Sequence, residues 1–158
     1  MAKILLVDDD KIIAELITLS LKKNIGILCD PAYSFTSGKL LVDACADPYD
    51  LAIIDYDLPD ARQGEMVDYT IAKGIATIVL TSSFDNETRE QVLSKKIIDY
   101  IVKRDITDLD YLETVVRRVL HNRTVKGLVV DDSLVYRESM TQLLRSQLLT
   151  VFTASNGV

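Results

Sequence analysis

The residues best able to do chemistry in this chain are polar side chains that directly follow short apolar runs. Asp8, Asp9 and Asp10 follow Ile4–Val7, and Asp55 and Asp57 follow Leu51–Ile54. Thr81, with Ser82 and Ser83, follows Ala76–Leu80, and Lys103 follows Tyr100–Val102. One acid at a strand end is ordinarily a helix cap or a solvated loop residue. Five carboxylates at neighbouring strand ends repel one another in a partly buried cleft, which is tolerable if a cation sits among them. Hard oxygen ligands in low number suit Mg²⁺, which keeps several waters and commonly bridges a phosphate. A carboxylate beside such an ion can attack phosphorus and become an acyl phosphate. The metal, the Lys103 ammonium and the Thr81 hydroxyl would then meet the charge spread over the transferred group. Acid pair, nucleophile, hydroxyl and lysine, in that order, supply the parts of a phosphoryl transfer. Asp10 has no place in that set and is expected to cap a helix or face solvent.

The elements that must position these groups are legible as short apolar runs. Ile4–Val7, Ile25–Leu28, Leu51–Ile54, Ala76–Leu80 and Tyr100–Val102 are mostly continuous rather than alternating, as in a parallel sheet covered on both faces. Helical spacing occurs in Lys11–Lys22 and Leu109–Asn122, and more weakly in Ser37–Ala46 and Asn86–Lys95. Thr107 or Asp108 could cap the helix that begins near Leu109. Five strand–helix units fit within Met1–Asn122, which predicts an α/β fold. In such open sheets, reactive groups collect beyond the carboxyl ends of the strands.

The pattern then restarts. Val125–Ser133 echoes Lys3–Asp10, a helical stretch follows at Val135–Gln147, and a strand-like one at Leu149–Ala154. The expected organisation is a domain over 1–122, a linker at 123–126, and the N-terminal part of a second copy over 127–158. Asp131 and Asp132 would be the acid pair of that copy, and its other site residues would lie beyond Val158. A strand, a helix and a strand bury too little surface to fold alone. That leaves a sheet-edge or domain-swapped homodimer open.

Bulk properties bound the rest. The 158 residues carry a net charge of -6, so general nucleic-acid binding has no electrostatic support. No apolar stretch approaches the roughly 20 residues that span a bilayer, so no membrane role is expected. The N-terminal run meets aspartates at once, unlike a secretory leader, and a cytoplasmic location is expected. Cys29 and Cys45 are read as buried free thiols.

Four stretches, LLVDD (Leu5–Asp9), DLAIIDYDLP (Asp50–Pro59), TIVLTSS (Thr77–Ser83) and DYIVK (Asp99–Lys103), together resemble the response-regulator receiver family over Met1 to about Asn122. The second copy is similar only at Leu128–Ser133 and Thr153–Val158. The resemblance implies a doubly wound, flavodoxin-like five-stranded parallel sheet of order 2-1-3-4-5. It implies that Asp55 is the phosphoacceptor, that Asp9 binds Mg²⁺ directly and Asp8 through water, and that Asp57 gives its backbone carbonyl. Thr81 and Tyr100 would be the switch pair, and Lys103 the active-site lysine. The implied partners are a sensor histidine kinase or phosphotransfer protein and an output domain beyond this chain, for which a diguanylate cyclase is one candidate.

Arg104 departs from the family, which has proline with a cis peptide there. Either a trans bond with a rearranged loop or a strained cis bond is expected. The loop Asp60–Gly64 reads as slightly long, and the fourth helix as short and polar. A haloacid-dehalogenase-type phosphatase would use Asp55 and Asp57 as its DxD pair, but there the pair follows the first strand. A pseudo-receiver acting only as an interaction module is the other alternative. His121, at the end of the last helix, reads as a helix-dipole partner rather than a relay histidine.

Overall fold

The computed structural model describes residues 2–82, 86–104 and 106–157. Ser83 therefore lies outside the described residues, and so does the side chain of Thr107. The chain divides into two compact units, Met1–Val115 and Val116–Val158.

The first unit alternates strand and helix: β1 (Ile4–Val7), α1 (Lys11–Ile25), β2 (Cys29–Ala32), α2 (Phe35–Ala44), β3 (Leu51–Asp55), α3 (Glu65–Ala72), β4 (Thr77–Thr81), α4 (Asn86–Leu93) and β5 (Asp99–Val102). It is completed by α5 (Ile106–Asn122), within which the division falls. The strands form one parallel sheet of order β2-β1-β3-β4-β5, flanked by helices. Every residue of β1, β3 and β4 is buried, which accounts for their continuous apolar runs. Leu5, Val7, Ile54 and Val79 join Met66 and Val67 of α3 in one core cluster. Ile4, Leu6, Ile53, Ile78 and Leu80 alternate with them and are buried too, so both faces of the sheet are covered.

The second strand corrects the expectation of Ile25–Leu28. Instead α1 runs on to Ile25 and ends at Gly26, whose left-handed φ of 77° closes the helix with N–H bonds to the Leu21 and Lys22 carbonyls. The strand is Cys-Asp-Pro-Ala, a run whose apolar signal is broken by Asp30 and Pro31. As the edge strand it pairs on one side only, so it tolerates a residue with no N–H. Helix α3 is only eight residues long, too short for its apolar face to be read from spacing. Helix α5 starts at Ile106, so Thr107 and Asp108 lie inside its first turn rather than before it. Both cysteines are free, but only Cys29 is buried; Cys45 is half-buried.

The second unit holds β6 (Lys126–Val130), α6 (Leu134–Ser146) and β7 (Thr150–Ala154), with β6 parallel to β7. Its local bonding repeats that of the first unit. Asp131 N donates to Ala154 O at 3.2 Å, as Asp8 N does to Ala32 O at 3.1 Å. Ser133 N donates to Asp131 Oδ1 at 2.8 Å, as Asp10 N does to Asp8 Oδ1 at 3.0 Å. Leu148 turns left-handed after α6, with φ 66°, where the first unit uses Gly26. No helix among the described residues is long and apolar enough to cross a membrane.

One glycine is required by the route from β3 to α3. Gly64 has φ +73°, and a Cβ there would lie 2.4 Å from Cε2 of the buried Tyr56 ring. Gly64→Ala is expected to lower stability by about 1–3 kcal/mol. Urea denaturation of the two proteins checks this; an unchanged midpoint would mean that the loop relaxes without cost.

Candidate functional site

The carboxyl ends of β1, β3, β4 and β5 bring the polar tips together. In the ladder, Val7 lies opposite Ile54, Asp55 opposite Leu80, and Thr81 opposite Val102. Asp8 is fully buried and Asp55 is 5% exposed, whereas Asp9 is exposed. Asp10 caps α1 by accepting from Ile12 N at 2.9 Å and Ile13 N at 3.2 Å, which removes it from the cluster. Asp57 is exposed, and its N–H donates to Asp55 Oδ1 at 3.4 Å.

Lys103 joins the acids. Its ammonium donates to Asp8 Oδ2 at 2.9 Å and to Asp55 Oδ2 at 2.6 Å. Its own backbone N–H is held by Thr81 O at 2.7 Å. The Lys103–Arg104 peptide is trans, so of the two expected outcomes the chain takes the one without a cis bond. Arg104 N then donates to Asp108 Oδ2 at 2.8 Å, which ties the loop to the first turn of α5.

Thr81 is fully buried at the end of β4, and Tyr100 is half-buried, packed against the core cluster that includes Val79. Asp131 and Asp132 belong to the second unit, where Asp131 accepts from Ser133 N. His121 lies in the last turn of α5.

One carboxylate oxygen from each of Asp8, Asp9 and Asp55 lies within 4.8 Å of the others. Two oxygens that share an octahedral ion at about 2.1 Å can be at most about 4.2 Å apart. Small side-chain rotations would therefore close this all-oxygen set on Mg²⁺, and the donors fit that ion. Beside the set opens a cavity of about 290 Å³ lined by Asp9, Asp57, Leu58, Pro59 and Arg62.

Electrostatics follow from burial. Desolvation pushes the Asp55 carboxyl up to about 6, with Lys103 pulling it down and Asp8 pushing it up. Asp8 is raised for the same first reason. Burial pulls the Lys103 ammonium down, but its bonds to Asp55 and Asp8 prevail and raise it, so it stays charged.

Sequence reasoning passed over Arg62, a loop cation with no apolar period to mark it. It borders both the cavity beside Asp9 and a second one, about 560 Å³, lined by Tyr56, Asp57, Gln91 and Lys95. Its loop is well tied down. Leu58 and Ala61 exchange backbone bonds of 3.0 and 3.1 Å, and Asp60 accepts from Phe35 N and Thr36 N at 2.8 and 3.0 Å. Only the extra length of Asp60–Gly64 hinted at it.

A doubly wound sheet of this order, with its acids and lysine at the carboxyl ends of the strands, defines the flavodoxin-like receiver class. The model of the response regulator receiver domain matches residues 4–115, and the chain belongs to that family. Two solved structures of a two-component system response regulator/GGDEF domain protein are 31% identical to it, with TM-score 0.86. Each is matched over 99% of this chain and 62% of its own, so the chain spans about 62% of their length. The receiver domain of a Francisella response regulator is 26% identical, with TM-score 0.66, over 78% of this chain and 99% of its own. A CheY-like receiver from Methanospirillum hungatei JF-1 shares the fold at 24% identity and TM-score 0.63, over 74% and 92%. No curated protein sequence matches.

The raised Asp55 carboxyl has a consequence for stability. Between the unfolded value of 3.8 and the folded value of about 6, the folded state binds more protons. Stability therefore falls as pH rises through that window, and the penalty is complete above about pH 6. Asp55→Asn removes it. In metal-free buffer near pH 7.5 the variant should be more stable by about 2 kcal/mol, with the gap closing toward pH 4. Denaturant curves at both pH values check this, and equal gaps would contradict it.

Proposed function

We propose that this receiver takes a phosphoryl group onto Asp55 from the phosphohistidine of a sensor kinase or phosphotransfer protein. The observation that carries this reading is the Lys103 ammonium shared between Asp8 at 2.9 Å and Asp55 at 2.6 Å, with Asp9 close by at the open side. An Asp55 carboxylate oxygen forms the bond to phosphorus as the phosphorus–nitrogen bond of the donor breaks. Lys103, already charged, is placed to turn from the carboxylate toward an oxygen of the transferred group. The Thr81 hydroxyl is proposed to donate to another oxygen, and Tyr100 to repack as Thr81 moves. Asp8, Asp9, Asp55 and the Asp57 carbonyl would hold Mg²⁺, which when bound supplies neutralising charge for the phosphoryl oxygens.

The reading extends to the rest of the protein. The bonding echo between the two units supports residues 127–158 as the opening of a second receiver, with Asp131 and Asp132 as its acid pair. The 31% identical relatives carry GGDEF in their names, which supports a downstream output of diguanylate-cyclase type.

Incubation with Mg²⁺ and acetyl phosphate should give one alkali-labile phosphoryl group per chain. Asp55→Asn should take none, and Lys103→Ala should be labelled about 100-fold more slowly. Removing the metal with a chelator should stop labelling. Repeated turnover of a phosphomonoester without a stable adduct would instead favour the dehalogenase-type phosphatase. Equal labelling of the Asp55→Asn variant would overturn the site assignment.

A further inference from the structure

We propose that Lys3 and Cys45 form a peroxide-sensitive modification site whose product is a covalent N–O–S bridge between their side chains. The site lies at the amino end of the sheet, away from the Asp55 tip, and does not depend on the phosphoryl-transfer reading.

The geometry singles out this pair. Lys3 Nζ lies 2.5 Å from Cys45 Sγ. An N–H···O hydrogen bond is about 2.9 Å long, and sulfur is larger than oxygen, so this contact is closer than a hydrogen bond requires. A single bridging oxygen would span such a separation without moving either backbone. Both residues are fixed by their backbones. Lys3 N donates to Asp50 Oδ2 at 2.8 Å, and Cys45 N closes α2 on Val42 O at 3.4 Å.

The ammonium is also steered from two further sides. It lies 4.9 Å from the centre of the Tyr49 ring and 3.9 Å from Asp30 Oδ2. Tyr49 donates its hydroxyl to the same Asp30 oxygen at 2.8 Å, which fixes the ring. Access exists as well: Cys45 borders a cavity of about 200 Å³ with Val42, Pro48, Tyr49 and Lys73. Cys29 is the contrast. It is buried, and desolvation pushes its thiol up to about 12, so it offers little thiolate.

The chemistry needs an oxidant of the hydroperoxide class. The Cys45 thiolate attacks one peroxide oxygen; a sulfur–oxygen bond forms, the oxygen–oxygen bond breaks and hydroxide leaves. That hydroxide takes the proton of the adjacent Lys3 ammonium. The freed amine attacks a second peroxide, giving a hydroxylamine and water. Condensation of the sulfenic acid with the hydroxylamine expels water and leaves sulfur–oxygen–nitrogen. One thiol, one amine and two peroxides become one bridge and three waters. Sulfur and nitrogen each lose two electrons, and each peroxide gains two. The bridge ties the start of β1 to the end of α2 across 42 residues of sequence. Such a closure restrains the unfolded chain and raises the melting temperature.

The full chain is treated with hydrogen peroxide and followed by intact mass and peptide mapping. The expected product gains about 14 Da, one oxygen in place of two hydrogens, and links the peptides of Lys3 and Cys45. Excess thiol reverses it, and it melts a few degrees above the reduced protein. Lys3→Arg and Cys45→Ser should each abolish the link, and Cys29→Ser should keep it. A gain of about 16 or 32 Da on Cys45 that is equally fast in Lys3→Arg would overturn the proposal. So would a loss of about 2 Da, marking a direct sulfur–nitrogen bond, or no reaction at all.

Discussion

The first unit is organised around one ammonium shared by two buried carboxylates. Asp8 and Asp55 sit at adjacent strand ends with almost no solvent contact. Two such charges side by side, without a cation, cost several kcal/mol in a poorly hydrated site. Lys103 offsets part of that cost, and the shift of Asp55 to about 6 is the part that remains. The sheet order sets how the cation must arrive. β1 and β3 are neighbours, but β5 lies beyond β4. Strands are about 4.8 Å apart, so only a long, flexible side chain from β5 reaches back over β4 to both acids. The bond from Lys103 N to Thr81 O fixes the root of that reach.

The loop after β3 shows how the same unit keeps its open side in order. Asp60 caps the start of α2 through Phe35 N, Thr36 N and the Thr36 hydroxyl, while Leu58 and Ala61 close a tight turn. Gly64 then lets the chain pass over the Tyr56 ring. These ties hold Asp57 and Arg62 at the rim with few free backbone torsions. Under the proposed function, such a rim would present the Arg62 charge to a phosphate without ordering itself first, which lowers the entropic cost of the encounter.

The two units have the same local grammar and different surroundings. β1 is wholly buried, whereas β6, with a similar apolar run, alternates exposed and half-buried residues. Leu128, Val130 and Phe152 remain exposed. Two local bonds around Asp131 nonetheless match those around Asp8, its N–H to the neighbouring strand and its Oδ1 to the residue two ahead. Local backbone geometry needs only the Asx turn and the helix cap. Burial needs flanking strands: β1 lies between β2 and β3, whereas among the described residues β6 pairs with β7 alone.

The fold was largely legible because its central strands are short, continuous apolar runs, each ending in a polar residue. The run-and-tip pattern located Ile4–Val7 with Asp8, Leu51–Ile54 with Asp55, and Tyr100–Val102 with Lys103. It failed at β2, where an edge position permits a proline and an aspartate that erase the apolar signal. It failed at Arg62 and at Lys3 beside Cys45, since neither belongs to a repeating spacing. Sequence by itself thus determined which residues stand at strand ends, because alternation and capping act over a few neighbours. Only the tertiary structure decided which of them meet. The Asp8–Lys103 bond spans 95 residues and the Lys3–Cys45 contact 42. Contacts at that range are fixed by strand order and register, which local periodicity does not encode.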